Sequence, residues 1–564
     1  MILYSQETID EFTQLGFWRD KVLTDYLKQN VANNPDKEAL VDPPNKEELT
    51  GQKPVRLTWS EIDKLVDRVA LGFVELGLKP DDFAVMQLPN VMELIITHFA
   101  LTRIGVIVVP GPVQYRNHEL GYAVELSEAK AVVVPGHFHG FDHVKMANEI
   151  RAKYPHLKHV ISLGKDLPEG VLSLYDMLEN KLEDKYAPDY LDQFKPTAND
   201  VMTLVLTSGT EALPKGVPRS HNNWFGLLPV MTMMSSVFNM SPSDEITQGA
   251  FPLVNMAGLG TMVYPWVGMG SKIILHHPFD AELFLTQIEK ERVTFAGGPP
   301  AVHYMLLNHP TIEQHDLSSI KFMGGGSAPL TTPIIKGWRE RFGIEVINVY
   351  GSNEGMGLFG MDPDAEKRAS YFSTEMAGIV GFQVKVVDEE GNDLTKPGDK
   401  GELVGKGPFL FPCYYKRPDL TEKAFTKDGF FRSGDLFIIE DEGKLRSGGR
   451  VKDLIIRGGQ NISPEDIEDI LNAHPKVLES AAVGMPDAKL GERVCVFVIP
   501  KEGQKSLTLD EISSFMKEHN MAVFKLPERL EIVNDLPRTP VGKIWKRVLR
   551  EEVTKKIEAE QAST

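Results

Sequence analysis

Cysteine is almost absent from this chain, which has two cysteines, Cys413 and Cys495, among 564 residues. Two thiols cannot build a disulfide framework or a cysteine-rich structural zinc site. Acidic residues outnumber basic ones by 79 to 61, and the formal charge of −18 repels phosphate backbones and anionic membranes. Nucleic acid is therefore not expected as a partner, and any nucleotide must be bound by a local site.

A long uninterrupted apolar run is also missing. The most apolar region, residues 83–113, is broken by Pro89, Glu93, Arg103 and Pro110, so it cannot cross a bilayer as one span. We expect a buried strand, a helix and a second strand there. The beginning, MILYSQETIDEF, is acidic and the end, QAST, is not a peroxisomal tripeptide, which favours a cytoplasmic location.

The spacing of apolar residues indicates a layered α/β architecture. Ser60 and Glu61 precede apolar residues at near-helical spacing, and Gly77 is placed to end that helix. Short β-rich runs at residues 129–136 and 159–164 are typical of interior strands of an α/β sheet. A chain of 564 residues exceeds what one hydrophobic core normally serves, so we expect two or more domains.

The most informative segment is LTSGTEALPKG, residues 206–216, which follows the apolar run 201–206. Hydroxyl groups and backbone N–H groups can donate to a polyphosphate, glycines permit close approach, and Lys215 supplies positive charge. The segment is not a Walker loop, because Pro214 precedes Lys215 and the residues after Gly216 continue an extended chain. A polar surface turn is the alternative.

This loop resembles the signature of the adenylate-forming enzymes, the superfamily of acyl-CoA ligases, luciferases and amino-acid or aryl-acid adenylation domains. Five further segments follow in that family's order. They are FMGGGSAPL (322–330), similar to its adenine-binding turn, VYGSNEG (349–355), similar to its YGxTE element, DGFFRSGDL (428–436), similar to its ribose-binding segment, GRVKDLIIRGGQNISPEDIE (449–468), similar to its hinge, and PRTPVGKIWKR (537–547), similar to its catalytic-lysine loop. Six elements in one order are far more specific than any single one.

The resemblance implies an α/β fold in which a large N-terminal domain of layered sheets, with a β-barrel-like subdomain, precedes a small mobile C-terminal α+β lid. Paired glycines at 448–449 suit a hinge. We therefore predict a large AMP-binding domain over 1–448, with the ATP and acyl pocket, and a lid over 449–564 that carries the catalytic lysine. Within the lid, Ser463 to His474 is expected to form a helix with Ser463 as its cap.

The reaction implied by the family is attack of a carboxylate on the α-phosphate of ATP, which forms an acyl-adenylate and releases pyrophosphate. Lys543 would bridge the two anions as charge builds. Glu354 would bind Mg²⁺, because a hard cation shared with phosphates prefers a carboxylate. Asp435 and Arg450 would contact the ribose hydroxyls. The alternatives are an exposed lysine, a surface glutamate and a carboxylate that only fixes the turn after Gly434.

The expected site residues fall into four groups. Catalysis is expected at Thr207, Glu354 and Lys543, of which Glu354 is also the metal ligand. ATP or CoA binding is expected at Ser208, Gly209, Thr210, Lys215, Gly326, Ser327, Ala328, Pro329, Tyr350, Asn353, Asp435, Arg450, Gly458 and Gly459. The acyl pocket is expected at Asn255, Met256, Gly258, Gly324, Gly325, Gly351, Ser352 and Met356. The hinge is expected at Lys452 and Asp453.

The sequence departs from the family's pattern at three places. Glu211 and Ala212 replace the usual Thr-Gly of the loop, which adds negative charge near the triphosphate and puts phosphate affinity in doubt. Asn255 stands where histidine is usual, so an amide faces the acyl pocket. Cys413 stands where glycine is usual, and we interpret it as a packing change because nothing nearby supplies a base to activate it.

Substrate size follows from Gly351, because acetate-specific relatives close the pocket with tryptophan there. A bulky monocarboxylic acid, aromatic, alicyclic or medium-chain, is therefore favoured. The opening LGFWRDKVLTDYL resembles the aryl-acid and cyclohexanecarboxylate branches of the family. We expect ATP, Mg²⁺ and coenzyme A as cofactor and co-substrates, with Gly458 and Gly459 near the pantetheine, and a homodimer is left open. The alternatives are an aryl-acid adenylating enzyme that loads a carrier protein and a noncatalytic nucleotide or acyl sensor.

Overall fold

The computed structural model describes residues 1–562 apart from residues 165–166, 208–213, 327–329, 331, 361–370, 374–377, 379–380, 458–459, 488–489, 505, 520, 522 and 540–541. The chain forms two compact units. The first comprises Met1–Ala369, Met376–Phe382 and Lys406–Lys423, and the second comprises Ser370–Glu375, Gln383–Gly405 and Ala424–Thr564. The chain therefore passes between the units more than once.

The first unit contains most of the strands. They are β1 (Glu38–Val41), β2 (Arg56–Thr58), β3 (Phe83–Met86), β4 (Ile107–Pro110), β5 (Ala131–Val134), β6 (His137–Phe138), β7 (Phe141–Asp142), β8 (His159–Ser162), β9 (Val171–Ser173), β10 (Val201–Leu206), β11 (Gly216–Ser220), β12 (Ile246–Gly249), β13 (Lys272–Ile274), β14 (Phe295–Gly298), β15 (Phe322–Gly326), β16 (Glu345–Gly351) and β17 (Gly357–Gly360).

Helices connect these strands. They are α1 (Gln6–Gln14), α2 (Leu23–Asn33), α3 (Lys46–Thr50), α4 (Trp59–Glu75), α5 (Met92–Arg103), α6 (Asn117–Ser127), α7 (His143–Lys153), α8 (Leu174–Glu179), α9 (His221–Phe225), α10 (Leu228–Val237), α11 (Tyr264–Met269), α12 (Ala281–Glu291), α13 (Pro300–Leu307), α14 (Thr332–Phe342) and α15 (Pro418–Ala424). A π-helix, Met256–Val263, precedes α11 directly.

Two mainly parallel sheets organise the first unit. Among the described residues, one sheet has the order β17-β16-β15-β14-β12-β13-β1-β2 and the other the order β11-β10-β4-β3-β5-β8-β9. The antiparallel pairs β1–β2, β10–β11 and β16–β17 all lie at sheet edges. The inner strands β3, β4 and β5 are apolar and buried along their whole length, as is typical of parallel strands covered by helices on both faces.

Local sequence signals explain where these elements begin and end. Helix α4 starts at a capping box, in which the Thr58 hydroxyl accepts from the Glu61 N–H and the Glu61 carboxylate accepts from the Thr58 N–H. The helix ends before Gly77, which has φ +82°. The strand, helix and strand expected over residues 83–113 are β3, α5 and β4, so that prediction is confirmed. In the described part of the chain, no helix is long and apolar enough to span a bilayer.

Glycines mark the carboxyl ends of three neighbouring strands in the larger sheet. Gly249, Gly297 and Gly324 lie side by side in register on β12, β14 and β15. A Cβ atom on Gly249 or Gly297 would stand 2.5 or 2.9 Å from Cε of Met262, so a side chain at either position would collide with the π-helix. The π-helix therefore packs directly on the backbone of Gly249 and Gly297.

The second unit combines an antiparallel sheet with an α+β body. Its strands are β18 (Tyr371–Ser373), β19 (Gln383–Val387), β20 (Asp393–Leu394), β21 (Lys400–Lys406), β22 (Phe431–Ile439), β23 (Lys444–Arg450), β24 (Ile455–Arg457), β25 (Gln460–Ile462), β26 (Val477–Asp487), β27 (Gly491–Pro500) and β28 (Arg529–Ile532), and its helices are α16 (Pro464–Asn472), α17 (Leu509–Glu518) and α18 (Lys546–Ala562). Where described, the first sheet has the order β18-β23-β22-β21-β19-β20, and the second has β25-β24-β27-β26 with β28 beside β27.

The predicted α/β class, with a large N-terminal and a small C-terminal domain, is confirmed by this architecture. The compact units group the sheet β18–β23 with the C-terminal segment, whereas the predicted boundary near Gly448 separates the two. The division into 1–448 and 449–564 stays a prediction.

Candidate active site

The loop between β10 and β11 is closed at its base by two hydrogen bonds. The Thr207 N–H donates to the carbonyl oxygen of Lys215 at 3.0 Å, and the Lys215 N–H donates to Thr207 Oγ1 at 3.1 Å. The Tyr122 hydroxyl donates to the carbonyl oxygen of Pro214 at 2.8 Å. Thr207 therefore ties the two ends of the loop together. Ser208, Gly209, Thr210, Glu211 and Ala212 lie outside the described residues.

Tyr414 connects this loop to Glu354. The Lys215 Nζ atom lies over the Tyr414 ring, 4.9 Å from its centroid. The Tyr414 hydroxyl donates to Glu354 Oε1 at 2.9 Å. The Lys215 ammonium group and the half-buried Glu354 carboxylate thus both contact Tyr414, an arrangement suited to a triphosphate with its metal ion. Tyr414 is not among the site residues expected from the sequence, although the adjacent tyrosines of FPCYYKRP (411–418) offered a signal.

The backbone around Glu354 is fixed tightly. The Gly355 residue has φ +105°, and a Cβ atom there would lie 1.9 Å from the carbonyl oxygen of Phe409. The Phe411 N–H donates to the carbonyl oxygen of Glu354 at 2.8 Å, and the Ser352 N–H donates to that of Met356 at 3.1 Å. The turn after β16 can therefore present the Glu354 carboxylate in one defined position.

Arg219 is a second site residue that was not expected from the sequence. Its side chain is fully buried, and its guanidinium donates to the carbonyl oxygen of Asn353 at 2.9 Å and to that of Phe409 at 2.9 Å. It also stacks on Trp224 at 4.3 Å from the ring. Burial lowers the pKa of Arg219 to about 10, so the group stays cationic near neutral pH. Nothing in the segment KGVPRS (215–220) predicts that this arginine is buried.

Several expected acyl-pocket residues lie together. Asn255 caps the π-helix, because its Oδ1 atom accepts from the Gly258 N–H at 3.2 Å, and the Met256 N–H donates to Asn353 Oδ1 at 3.0 Å. A Cβ atom on Gly351 would lie 4.0 Å from Cγ of Met256 and 3.2 Å from the carbonyl oxygen of Met356. The π-helix and the end of β16 therefore share one surface. The Asn255 Oδ1 atom is therefore engaged in capping the π-helix.

Two of the glycines expected at the pocket do not face the same way. A Cβ atom on Gly324 would lie 3.1 Å from the Phe295 ring, whereas one on Gly325 would lie 2.5 Å from Leu330, inside the buried core under the sheet. Consecutive strand residues point to opposite faces, so only one of the two can present its face to an acyl group. Gly326 pairs with Val349, directly before Tyr350. Ser327, Ala328 and Pro329 are outside the described residues.

In the second unit, the two expected ribose contacts pair with each other. Arg450 Nε lies 2.6 Å from Asp435 Oδ1, and the two residues are register partners on β22 and β23. Gly434 has φ +71°, which turns the chain just before the carboxylate. The strand pairing therefore sets the position of both side chains.

The expected hinge is packed against the start of α16. Gly449 has φ +101°, and a Cβ atom there would lie 2.2 Å from Glu465 Oε2. Ser463 occupies the N-cap position of α16 as expected, but its hydroxyl donates to the carbonyl oxygen of Gly448 at 2.8 Å and makes no capping hydrogen bond to the helix. Arg550 donates to the carbonyl oxygens of Lys452 and Asp453 at 3.2 and 2.8 Å.

Lys543 lies on a short turn that closes on itself. The Thr539 N–H donates to the carbonyl oxygen of Lys543 at 2.8 Å, and the Lys543 N–H donates to Thr539 Oγ1 at 3.2 Å. Gly542 has φ +84°, a conformation that favours glycine. The lysine is half-buried. Gly458 and Gly459 lie outside the described residues.

The donor set suits magnesium and gives no support to a reactive thiol. In the part of the chain that the structure describes, no cluster of three or more His, Cys, Asp or Glu side chains could hold a metal ion. Mg²⁺ is commonly bound through one or two carboxylates, with substrate phosphates and waters completing its shell, and Glu354 fits that pattern. Burial raises the pKa of the Cys413 thiol, so the thiolate is disfavoured there.

Comparison with known proteins gives consistent matches over nearly the whole chain. The AMP-binding enzyme family matches residues 27–415, and the AMP-binding enzyme C-terminal domain matches residues 466–543. The 2,3-dihydroxybenzoate-AMP ligase of Bacillus subtilis (strain 168) is 30% identical over 559 residues, which cover 98% of each chain. The 2-hydroxy-7-methoxy-5-methyl-1-naphthoate–CoA ligase of Streptomyces carzinostaticus is 32% identical over 96% of this chain and 94% of that one. The crystal structure of ATP-bound MatB from Rhodopseudomonas palustris has a TM-score of 0.79 at 27% identity and covers 95% of this chain and 99% of that one.

Proposed function

Because this chain belongs to the AMP-binding enzymes of the adenylate-forming superfamily, we propose that it is an ATP-dependent carboxylic acid:CoA ligase that forms AMP. It activates a bulky monocarboxylic acid as an acyl-adenylate and transfers the acyl group to the thiol of coenzyme A. A cytoplasmic location belongs to the same proposal.

The observation that carries the proposal is the contact chain from Lys215 through Tyr414 to Glu354. The Lys215 Nζ atom lies 4.9 Å from the centroid of the Tyr414 ring, whose hydroxyl donates to Glu354 at 2.9 Å. A triphosphate between the loop and the carboxylate would meet a cation on one side and a metal ligand on the other. A bound Mg²⁺ ion would supply positive charge to the phosphate oxygens.

The residues of the two units have separate tasks in this proposal. The loop closed by Thr207 and Lys215 binds the phosphates, and Asp435 with Arg450 binds the ribose. Lys543 bridges the substrate carboxylate and the α-phosphate while negative charge builds on both. The adenylate then loses AMP when the thiolate sulfur attacks its carbonyl carbon, and the lid presents the segment around Gly458 and Gly459 for that second step.

The acid is proposed to be bulky because Gly351 and Met256 border the same space without a large side chain from Gly351. The names of the relatives agree in kind, since one acts on dihydroxybenzoate and another on a substituted naphthoate. None of the proposed pocket residues is a cation that would favour a second carboxylate.

The acceptor distinguishes the main proposal from its alternative. A dihydroxybenzoate-AMP ligase and a CoA ligase are both similar to this chain over almost its whole length. An aryl-acid adenylating enzyme that loads a carrier protein is therefore the second candidate. A noncatalytic nucleotide or acyl sensor is disfavoured, because the chain contains Glu354, Asp435, Arg450 and Lys543 together.

The test is pyrophosphate release with a panel of aromatic, alicyclic and straight-chain acids, each with and without CoA. We expect acid-dependent pyrophosphate release, with an acyl-CoA product appearing only when CoA is present. Pyrophosphate release without any acyl-CoA product would favour the carrier-protein alternative. A protein that binds ATP but releases no pyrophosphate with any acid would contradict the ligase proposal.

A further inference from the structure

Arg219 occupies an unusual position for a charged side chain. It lies on β11, the strand that starts at Gly216 directly after Lys215, and its side chain is fully buried at 0% exposure. A buried charge is costly unless it is compensated by several well-placed partners. Its partners therefore indicate what the residue contributes.

The guanidinium joins two segments that are far apart in sequence. Nη1 donates to the carbonyl oxygen of Asn353 at 2.9 Å, and Nη2 donates to the carbonyl oxygens of Phe409 at 2.9 Å and Asn223 at 3.2 Å. These acceptors are backbone carbonyls, so the contacts fix main-chain positions. The Nε atom makes no hydrogen bond among the described residues.

The carbonyl groups of Asn353 and Phe409, which accept from Arg219, both lie next to the backbone around Glu354. Asn353 directly precedes it, and Phe409 packs against Gly355 so closely that a Cβ atom there would be 1.9 Å from the Phe409 oxygen. The carbonyl oxygen of Glu354 itself accepts from the Phe411 N–H at 2.8 Å. The backbone on both sides of the carboxylate is thus set by Arg219, either directly or through the segment 409–411.

We propose that Arg219 is a positioning residue that sets the place of the Glu354 carboxylate relative to Lys215, so that both groups meet one bound MgATP. This inference rests on the proposed function, because it assumes that Glu354 contacts the metal ion. The short strand β11 is the mechanical link, since Lys215 stands at one end and Arg219 near the other.

Arginine is suited to this task for a geometric reason. Its planar fork donates from two nitrogens in fixed directions, so one side chain can bind the carbonyls of Asn353 and Phe409 together. Lysine keeps the charge but lacks the fork, and methionine fills the space without donating. The variants Arg219→Lys and Arg219→Met therefore separate charge from geometry.

The experiment measures ATP binding by calorimetry without acid or CoA, once with Mg²⁺ and once with EDTA. The ratio of the two dissociation constants gives the advantage that Mg²⁺ confers, and it does not depend on turnover. The control is Arg68→Met, since Arg68 is also a buried arginine of the first unit and donates to the carbonyl oxygen of Leu178 and to Glu183. Thermal unfolding without ligand is recorded for every variant.

We expect Arg219→Met to reduce the Mg²⁺ advantage by about tenfold, the order that corresponds to losing one charge-assisted hydrogen bond. Arg219→Lys should lose less, and Arg68→Met should keep the wild-type ratio. A folded Arg219→Met protein with the wild-type ratio overturns the inference and leaves the proposed function standing. Failure of Arg219→Lys, Arg219→Met and Arg219→Gln to fold overturns it too, because Arg219 then serves the fold. If the wild-type protein binds ATP equally well with Mg²⁺ and with EDTA, that result overturns the proposed function together with this inference.

Discussion

Replacement of Gly355 by alanine should destabilise the first unit more than any comparable glycine substitution near the site. Gly355 has φ +105°, which an L-residue rarely adopts. Its Cβ atom would lie 1.9 Å from the carbonyl oxygen of Phe409 and 2.9 Å from Cα of Leu410. Both neighbours are backbone atoms, so no side-chain rotation can relieve the collision.

The size of the effect follows from what must move. The segment at Phe409 has to withdraw by about 1 Å to restore a normal contact, and that shift breaks its hydrogen bond from Arg219 and strains the one between Phe411 and Glu354. Backbone strain of about 1–3 kcal/mol, a charge-assisted hydrogen bond of about 1.5–3 kcal/mol and a neutral one of about 0.5–1.5 kcal/mol give roughly 3–7 kcal/mol. MgATP binding should weaken in parallel.

The assay is urea unfolding followed by tryptophan fluorescence. Five of the six tryptophans, namely Trp18, Trp59, Trp224, Trp266 and Trp338, belong to the first unit, so the signal reports mainly on that unit. Two controls separate the causes. Gly140 has φ +74° and nothing within 4 Å of its Cβ position, so Gly140→Ala isolates the backbone strain. Gly351→Ala adds a contact of 3.2 Å with the Met356 oxygen and has no positive φ.

We expect Gly140→Ala to lower the free energy of unfolding by about 1–2 kcal/mol and Gly351→Ala to lower it by less than about 1 kcal/mol. If Gly355→Ala lowers it by no more than Gly140→Ala, the segment around Phe409 moves aside at no measurable cost. The conclusion that the Glu354 turn is rigidly fixed would then be wrong.

Three further predictions concern the two half-reactions and the acyl pocket. Lys543→Ala should abolish adenylate formation, measured by pyrophosphate release, and leave thioester formation from a pre-made acyl-adenylate largely intact, while equal loss in both steps would indicate a folding role. Asp453→Pro should impair the change of lid position, because proline disfavours the turn conformation at Lys452 and fixes φ at residue 453. Wild-type rates of both half-reactions in this variant would contradict a lid that takes two positions. Gly351→Trp should shift kcat/KM from bulky acids toward acetate or propionate by on the order of 1–3 kcal/mol per methylene, and an unchanged ranking of acids in the folded variant would remove Gly351 from the pocket.

The sequence predicts the elements well where the signal is local. The alternation at residues 83–113 and the end of α4 before Gly77 depend on neighbours a few positions apart, and both predictions are confirmed. The start of α4 lies earlier than expected, because Ser60 and Glu61 are inside the helix and Thr58 is its cap. Ser463 shows the limit of that reasoning. Its position before Pro464 is typical of a side-chain cap, yet its hydroxyl donates to Gly448, 15 residues earlier.

The parts of the site that the sequence did not predict depend on long-range packing. Arg219 donates to Phe409 across 190 residues, and Tyr414 donates to Glu354 across 60. No periodicity or motif spacing encodes such pairs, since either residue could equally lie on the surface. The roles assigned to Lys543, Asp435 and Arg450 came from the family resemblance, and they stay predictions.

The pair of hydrogen bonds between Thr207 and Lys215 has a consequence for how this enzyme can change. Because the ends of the loop are joined to each other and then continue into the antiparallel pair β10–β11, we expect the sheet to tolerate changes in the residues between them. In the proposed function, exchange of Glu211 and Ala212 for the threonine and glycine usual in the family would alter the charge that a bound nucleotide contacts, and we expect it to leave the pairing of β10 and β11 unchanged. We therefore expect phosphate affinity to be adjustable at these two positions with little effect on folding stability.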